Sequence, residues 1–477
     1  MKKLFFVFIL LYLTPFQLFA QDNGGEHNDP VASVILWVTL ILFFGLIGRD
    51  IAKKFNQPGV LGELLMGVLV GNVMYFFGSY LIVVLREGAA IFHIMGDMLE
   101  GMSLNAAVHS AIPNGYYAKQ VVTALSSEQG TELMKVGYVV DIFSRYGIIF
   151  LLFAVGLESS VDELRHTGRE AIKVALIGVV APIILGYIVA YCLIERGTAS
   201  TDLFVAATLC ATSIGITARV LKELKKLQTR EAKTILGAAM LDDILGLVIL
   251  AVVSSVVTHG QVDLLSLFNI IASSLIFFVA CLALGPWVLK RSIRFFSRFL
   301  ELWEAKLFIA FLFVMSLAWL ATLVHLATII GAFAAGLIIH DGYFEEEGKK
   351  TSVENSLKNL VSPLESILAP LFFVLIGIQV KIEAFWDGRV LLLAGGLIIA
   401  AIIGKLFSGV GANKKDDRLL IGIGMLPRGE VGLVFASIGR TLGVMSDQLF
   451  TATVLMVIVT TVMTPPLLKL RFARHKK

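Results

Sequence analysis

Charged residues are scarce in this chain. Only 16% of its 477 residues are Asp, Glu, Lys or Arg, whereas 57% are hydrophobic and the mean hydropathy is +0.85. A soluble domain usually carries about 25% charged residues. Because the deficit extends along the whole length, the composition excludes a soluble domain with one anchor and predicts a polytopic membrane protein.

Cysteine and basic tracts are also scarce. The three cysteines, Cys192, Cys210 and Cys281, all lie in apolar segments, and no CxxC pair occurs. This pattern supports neither a disulfide framework nor a zinc site, so we interpret the cysteines as small buried hydrophobes. The net charge is only +4 and no basic run is interleaved with aromatic residues, which argues against nucleic acid as a partner.

Long apolar runs dominate what remains. Residues 1–20, MKKLFFVFILLYLTPFQLFA, are predicted to be a signal peptide, with an uncleaved first helix as the alternative. A membrane domain is predicted over 31–470, with thirteen spans. These spans lie at about 31–49, 59–85, 138–157, 171–193, 202–222, 231–256, 264–289, 305–324, 326–340, 362–380, 389–409, 417–441 and 447–470.

The lysines and arginines orient these spans. If cleavage leaves the new N-terminus outside, the predicted inner loops are rich in Lys and Arg, whereas the predicted outer loops are nearly bare. Arg86, Lys119 and Lys135 lie in one long outer loop. The basic tail 471–477 is then cytoplasmic, and the protein is expected in the inner (plasma) membrane of the cell as a multi-pass protein. No soluble domain follows the thirteenth span in this sequence.

Residues 86–137 form an unusually long outer connection. The segment is partly amphipathic and contains His93 and His109. These histidines could form a metal site with Asp97 and Glu100, but their spacing is loose. We therefore predict a helical insert packed on the surface.

Several ionisable residues inside the predicted spans cannot all be dismissed as span ends: Glu63, Asp242, Asp243, Lys405, Arg428 and Glu430. Each costs about 2.5–3.5 kcal/mol at the centre of a membrane helix. Such groups normally face the bundle interior, pair with one another or line a water-filled path. We interpret Glu63 as a structural hydrogen-bonding group and Arg428 with Glu430 as an internal ion pair.

The adjacent acids Asp242 and Asp243 carry the functional prediction. Neighbouring residues of a helix point about 100° apart, so one carboxylate can meet a cation of the protein while the other faces a cavity. Lys405 is the only lysine deep in a predicted span and is the expected partner of Asp242. The second carboxylate is expected to exchange a proton near neutral pH and, when ionised, to attract a small cation.

Two flanking spans are predicted to be interrupted. The stretch ATLCATSIGITARVL (207–221) is rich in hydroxyls and includes Thr212 and Ser213, and GIGMLPRGEVGLVFA (422–436) contains Pro427 and Gly429. Interrupted helices of this kind occur in matching positions of inverted repeats and expose backbone groups to ions. The alternative is that Thr212 and Ser213 only bond their own helix backbone.

Several motifs in this order resemble those of the monovalent cation:proton antiporter-2 family, especially its electrogenic sodium/proton antiporters. The motifs are QPGVLGELLMGVLVGN (57–72), GIIFLLFAVGLE (147–158), ATSIGITARVL (211–221), AAMLDDILGLVIL (238–250), APLFFVLIGIQV (369–380), Gly404-Lys405 and MLPRGEVGLVFA (425–436). The resemblance covers roughly 31–85 and 138–470, and the insertion at 86–137 departs from the family pattern.

The resemblance implies an all-α bundle of about thirteen transmembrane helices with two crossed discontinuous helices. It implies a dimerisation domain, a mobile core domain with repeats at about 138–256 and 362–470, and a homodimer. Asp243 matches the residue that binds Na⁺ or the proton, with Thr212 and Ser213 nearby, and Asp242 matches the partner of Lys405. No cofactor is implied.

We therefore predict a secondary antiporter, not an enzyme, that exchanges Na⁺ (or Li⁺) for H⁺, with both ions competing for Asp243. K⁺/H⁺ exchange is the main alternative. Kef-type potassium systems of the same family carry Gln-Asp at the acidic pair and usually a nucleotide-binding C-terminal domain, so Asp-Asp here favours sodium. An intramembrane aspartyl protease is disfavoured, because its aspartates must face each other from two helices. A channel or sensor of this fold is another alternative, and it would not couple the two ions.

Overall fold

The computed structural model describes most of residues 31–474. Outside the described part lie 1–30, 56, 89, 113–114, 159–167, 195–196, 214–216, 218–219, 222–223, 225, 227–228, 260–263, 297–298, 325, 327, 345–355, 429 and 475–477. The predicted signal peptide and the last three residues of the basic tail therefore fall outside it.

The described secondary structure is entirely helical, as predicted. The α-helices are α1 (Ala32–Lys54), α2 (Gly59–Phe76), α3 (Tyr80–Arg86), α4 (Ala90–Leu99), α5 (Leu104–Ala111), α6 (Gly115–Leu125), α7 (Gly130–Glu158), α8 (Arg169–Leu193), α9 (Ala199–Thr208), α10 (Arg230–His259), α11 (Leu264–Phe296), α12 (Leu302–Leu323), α13 (Thr328–Ile338), α14 (Leu357–Ile378), α15 (Gly388–Ser408), α16 (Arg418–Gly424), α17 (Glu430–Thr441) and α18 (Asp447–Arg474).

Every predicted span overlaps at least one of these helices. Eight helices in the described residues are long and apolar enough to cross a membrane. The division between the eighth and ninth spans is confirmed, since α12 ends at Leu323 and α13 begins at Thr328. His325, between these two predicted spans, lies outside the described residues.

The second span was predicted too long. Helix α2 ends at Phe76, and Gly78 turns the chain with φ +76, a conformation that glycine adopts without the strain of a Cβ. The short helix α3 follows. Arg86, which the sequence analysis placed in an outer loop, is instead fully buried at the end of α3.

The predicted insert 86–137 contains α4, α5, α6 and the beginning of α7. Its apolar side chains, such as Ile91, Val108 and Val121, are buried and belong to one apolar cluster with residues of α14. Ser110 donates a hydrogen bond of 2.5 Å to Asp97, and His109 Nδ1 lies 2.8 Å from the carbonyl oxygen of Asn105. Within the described part of the chain, no three His, Cys, Asp or Glu side chains come together as metal ligands would.

The helices pack in two sets. Helices α1, α2, α7, α12, α13 and α14 pair extensively with one another, and we call them the scaffold set. Helices α8, α9, α10, α15, α16, α17 and α18 pair with one another, and we call them the crossing set. Helix α11 packs against α10 of one set and against α12 and α13 of the other. Helices α7 and α14, which the sequence analysis included in the core repeats, pair within the scaffold set.

Glycine allows one particularly close approach within the crossing set. A Cβ on Gly404 of α15 would lie 2.7 Å from Cα and 2.8 Å from Cγ of Pro182 in α8. These two helices have the most extensive contact in the fold. Gly404 therefore lets α15 lie directly against α8, one residue before Lys405.

We expect Gly404→Ala to lower the thermal unfolding midpoint of the detergent-solubilised protein by several degrees, because overpacking of a buried contact costs about 1–3 kcal/mol. Gly395→Ala in the same helix is the matched control, since nothing lies within 4 Å of its added Cβ. The control is expected to be neutral or slightly stabilising, because alanine favours helix over glycine. Equal midpoints for the two variants would contradict the close contact.

Candidate ion-binding site

Two helices of the crossing set are interrupted in the interior. Helix α9 ends at Thr208, and residues 211–213 continue without helical structure. Helix α16 ends at Gly424, and the chain resumes helical structure only at Glu430. Pro427 lies in this second break, where its missing N–H and fixed φ oppose a continuous helix. Both predicted interruptions are thus present in the structure.

The two breaks cross and satisfy each other's backbone groups. The Ser213 N–H donates to the Pro427 carbonyl oxygen at 2.8 Å. The Thr212 hydroxyl donates to the Met425 carbonyl oxygen at 3.3 Å, and the Thr217 hydroxyl donates to that of Gly424 at 2.7 Å. The hydroxyls of Thr212 and Thr217 therefore bond across the crossing and not only to their own helix.

Arg428 joins both breaks. Its side chain is fully buried, and Nη1 donates to the carbonyl oxygen of Ala211 in the first break. The Thr461 hydroxyl of α18 donates to the backbone oxygen of Arg428. Nε and Nη2 of Arg428 have no hydrogen-bond partner among the described residues. The side chain of Glu430 lies outside the described part, so the Arg428–Glu430 pair stays a prediction.

Asp242 and Lys405 form a buried ion pair. Lys405 Nζ donates to Asp242 Oδ1 at 2.9 Å and to Oδ2 at 3.0 Å, and both side chains are fully buried. Asp242 also lies within hydrogen-bonding reach of Thr212 in the first break. In the 30-residue helix α10, Asp242 lies roughly 18 Å from the first residue, which is close to the middle of the helix.

Helix α8 leaves space for this pair. A Cβ on Gly178 would lie 3.6 Å from Lys405 Nζ and 3.9 Å from Asp242 Oδ1. Together with Pro182, which faces Gly404, Gly178 brings α8 close to both charged residues. Neither residue was identified from the sequence, because a small residue and a proline inside an apolar span were the only indications of their role.

The structure brings together Thr212, Ser213, Asp242, Lys405 and Arg428. Asp243 follows Asp242 in α10, but its side chain lies outside the described part. Glu63 lies elsewhere, in the scaffold set, where Arg49 Nε approaches Glu63 Oε1 at 2.5 Å. Glu63 therefore has the structural pairing predicted for it, at a distance from the crossing helices.

Buried opposite charges and two crossed, broken helices define a class of protein that moves ions across membranes. The family model for the transmembrane sodium/hydrogen exchanger matches residues 38–470. The chain belongs to this family. It is therefore a transporter and not an enzyme, and the ions are its substrates rather than cofactors.

Characterised relatives match nearly the whole chain. The high-affinity Na⁺/H⁺ antiporter NhaS3 of Synechocystis is 34% identical over 454 residues, which cover 94% of this chain and 91% of that protein. The Na⁺/H⁺-K⁺ antiporter GerN of Bacillus cereus is 30% identical and covers 92% and 96%. The Na⁺/H⁺ antiporter of Enterococcus hirae is 27% identical and covers 90% and 96%.

The fold also matches a solved structure. The sodium/proton antiporter MjNhaP1 from Methanocaldococcus jannaschii at pH 8 aligns with a TM-score of 0.58 at 18% identity, over 93% of this chain and 98% of that one. This likeness confirms the predicted antiporter fold.

The Asp242–Lys405 pair yields a stability prediction. Removing one partner of a buried ion pair typically costs about 3–5 kcal/mol, because the other charge remains buried and unpaired. We expect Asp242→Asn and Lys405→Met each to lower the thermal unfolding midpoint in detergent. The double variant is expected to lose clearly less than the sum of the single losses, since no unpaired charge is left. Additive losses would show that the two charges do not interact.

Proposed function

We propose that this protein exchanges Na⁺ (or Li⁺) for H⁺ across the membrane. The observation that carries the proposal is the fully buried Asp242–Lys405 pair beside two crossed, broken helices. Ion pairing of Asp242 leaves its neighbour Asp243, about 100° around α10, as the carboxylate for the transported ions. The names of NhaS3 and of the Enterococcus hirae relative support sodium as the substrate.

Competition for one carboxylate couples the two ions. When Asp243 is ionised it binds Na⁺, and when it is protonated it has no charge with which to hold the cation. The described charges around the crossing are Asp242, Lys405 and Arg428, which sum to one positive charge. An ionised Asp243 would balance that surplus. Na⁺ and H⁺ would then compete for the same oxygen atoms.

The Asp242–Lys405 pair supplies a second charge step. When the core moves, Lys405 releases Asp242, and the separated pair can then take up or give off a second proton for each sodium ion. Exchange would then be electrogenic, with an inward proton gradient able to expel sodium. In this proposal the crossing set is the mobile core domain and carries the site between two access states, while the scaffold set stays in place.

We expect reconstituted protein to show sodium-dependent proton movement in liposomes containing a pH dye, and Asp243→Asn to abolish it. The amide cannot ionise, so it neither releases a proton nor attracts Na⁺. Asp50→Asn at the end of α1 is the matched control, because Asp50 pairs only with Lys54 at an exposed position. Undiminished exchange in Asp243→Asn would defeat the proposal.

In the same assay, Lys405→Ala is expected to weaken exchange or to uncouple sodium from proton movement, since Asp242 would lose its compensating charge. Asp243 would remain available, so the loss should be smaller than that of Asp243→Asn. Unchanged rate and coupling would show that Asp242 acts without the lysine.

K⁺/H⁺ exchange is the second candidate. GerN, with 30% identity, is named an Na⁺/H⁺-K⁺ antiporter, and hydroxyl and carbonyl ligands do not by themselves determine ion size. We expect Na⁺ and Li⁺ to release protons from preloaded liposomes at concentrations at least tenfold below those of K⁺. A K⁺ response equal to the Na⁺ response would favour the alternative.

The oligomeric state and the localisation of the protein are part of the proposal. We propose a homodimer in the inner membrane, with a cleaved signal peptide and a cytoplasmic C-terminus. The supports are the basic inner loops and the family resemblance. Native mass spectrometry of the detergent-purified protein gives its oligomeric state and mature mass, and a C-terminal reporter enzyme active only in the cytoplasm gives the orientation.

A further inference from the structure

A second group of buried and half-buried charges lies away from the ion site. It surrounds the ends of α3, α14 and α17 and the beginning of α18. Its three cations and three anions balance, and they are Arg86, Lys381, Arg440, Glu87, Glu383 and Asp447. Arg86 was expected in an outer loop, and none of the six residues was assigned a role from the sequence.

The segment after α14 is attached to the scaffold set. Asn72 of α2 donates to the carbonyl oxygen of Val380 at 2.9 Å, and its own side-chain oxygen accepts the Ile382 N–H at 3.2 Å. Arg86 Nη2 donates to both oxygens of Glu383, at 2.8 and 2.6 Å. Lys381 therefore extends from a segment that is fixed to α2 and to the end of α3.

Lys381 reaches across to the crossing set. Its fully buried ammonium donates to Asp447 of α18 at 2.5 Å and to Glu87 at 2.8 Å. The ammonium also lies 3.4 Å from the ring centroid of Tyr117 in the insert. Burial, reinforced by Glu383 and Asp447, raises the pKa of Tyr117, so that its ring remains a neutral face for the cation.

Arg440 makes the reciprocal connection. It lies near the end of α17 in the crossing set and bonds Asp447 at 2.8 Å within that set. It also donates to the Arg86 carbonyl oxygen at 2.7 Å and to Gln379 Oε1 at 3.1 Å. Each helix set thus contributes one buried cation to the other, and Glu87 and Tyr117 of the insert region cover the contact.

We infer that Lys381, Arg440, Asp447 and Glu87 form an ionic latch that holds the crossing set against the scaffold set in one access state. This inference rests on the proposed function, in which the crossing set moves relative to the scaffold set. Such movement has to separate Lys381 from Asp447. The insert 86–137 then acts as the cover that keeps water from the latch and strengthens it.

Cys210 provides an intrinsic probe of latch opening. It is fully buried at the first break, and the helix that leads to it, α9, packs beside α17, with a Cβ on Gly439 placed 2.5 Å from the Phe204 ring. Helix α17 runs from the crossing to Arg440 of the latch. Release of the latch is therefore expected to open the path to Cys210.

The test measures how fast a small anionic methanethiosulfonate labels Cys210 in the full chain in lipid nanodiscs. The background carries Cys192→Ser and Cys281→Ser. We expect Lys381→Met and Asp447→Asn to accelerate labelling at least threefold. Arg471→Gln is the control, because Arg471 pairs with Asp417 at the opposite end of α18, at 2.6 Å and within the crossing set. It should leave labelling unchanged.

Thermal unfolding separates opening from loss of structure. Asp447→Asn keeps the shape of the side chain. If Lys381→Met does not fold, the labelling rate of Asp447→Asn alone tests the latch. Labelling within threefold of the parent in folded latch variants would overturn the latch, as would equal acceleration by Arg471→Gln. Failure of sodium/proton exchange in the parent would instead remove the proposed function, because labelling does not depend on transport.

Discussion

The fold depends on holding one unsolvated carboxylate and one unsolvated ammonium together inside a membrane. Each of Asp242 and Lys405 would cost several kcal/mol if buried alone, and both are completely buried here. The bidentate contact, with distances of 2.9 and 3.0 Å, offsets that cost only if α10 and α15 keep their relative positions. Helix α8 keeps them there, through Gly178 beside the pair and Pro182 beside Gly404.

The broken helices solve a related problem. An interrupted membrane helix leaves carbonyl and N–H groups without partners, which costs several kcal/mol for each group in an apolar medium. Here each break provides hydrogen-bond partners for the other, through Ser213 with Pro427 and through Thr217 with Gly424. Arg428 adds a positive charge at the same point. The arrangement provides a polar interior in which a small cation can replace a proton.

Much of this could be predicted from the sequence because it depends on local composition. Apolar runs and basic loops gave the thirteen spans, Pro427 predicted one break, and the hydroxyl-rich stretch around Thr212 predicted the other. Lys405 could be paired with Asp242 because no other lysine lay deep in a predicted span. The turn at Gly78 was not predicted because the apolar run continues through it. The burial of Arg86 was not predicted because a charged residue just after an apolar run is usually solvated, and only tertiary contacts bury it here.

The charged residues of the latch were not predicted, for a different reason. Lys381, Glu87 and Asp447 each lie at the end of a span, where a charged residue is usually solvated or oriented toward the headgroups. Nothing local indicates that three such ends meet beneath the insert 86–137. Their partners are about 60 to 300 positions apart in the chain, so the ion pairs follow from topology, whereas the Asp242–Lys405 pair stood out against apolar neighbours.

Competition between sodium and the proton at one carboxylate is the central claim, and calorimetry measures it without transport. Titrating NaCl into the purified protein in two buffers of different protonation enthalpy gives the number of protons released per sodium ion bound. The account predicts release of at least a substantial fraction of one proton near neutral pH, and loss of both sodium binding and release in Asp243→Asn. Sodium binding with no proton release at any pH would contradict it.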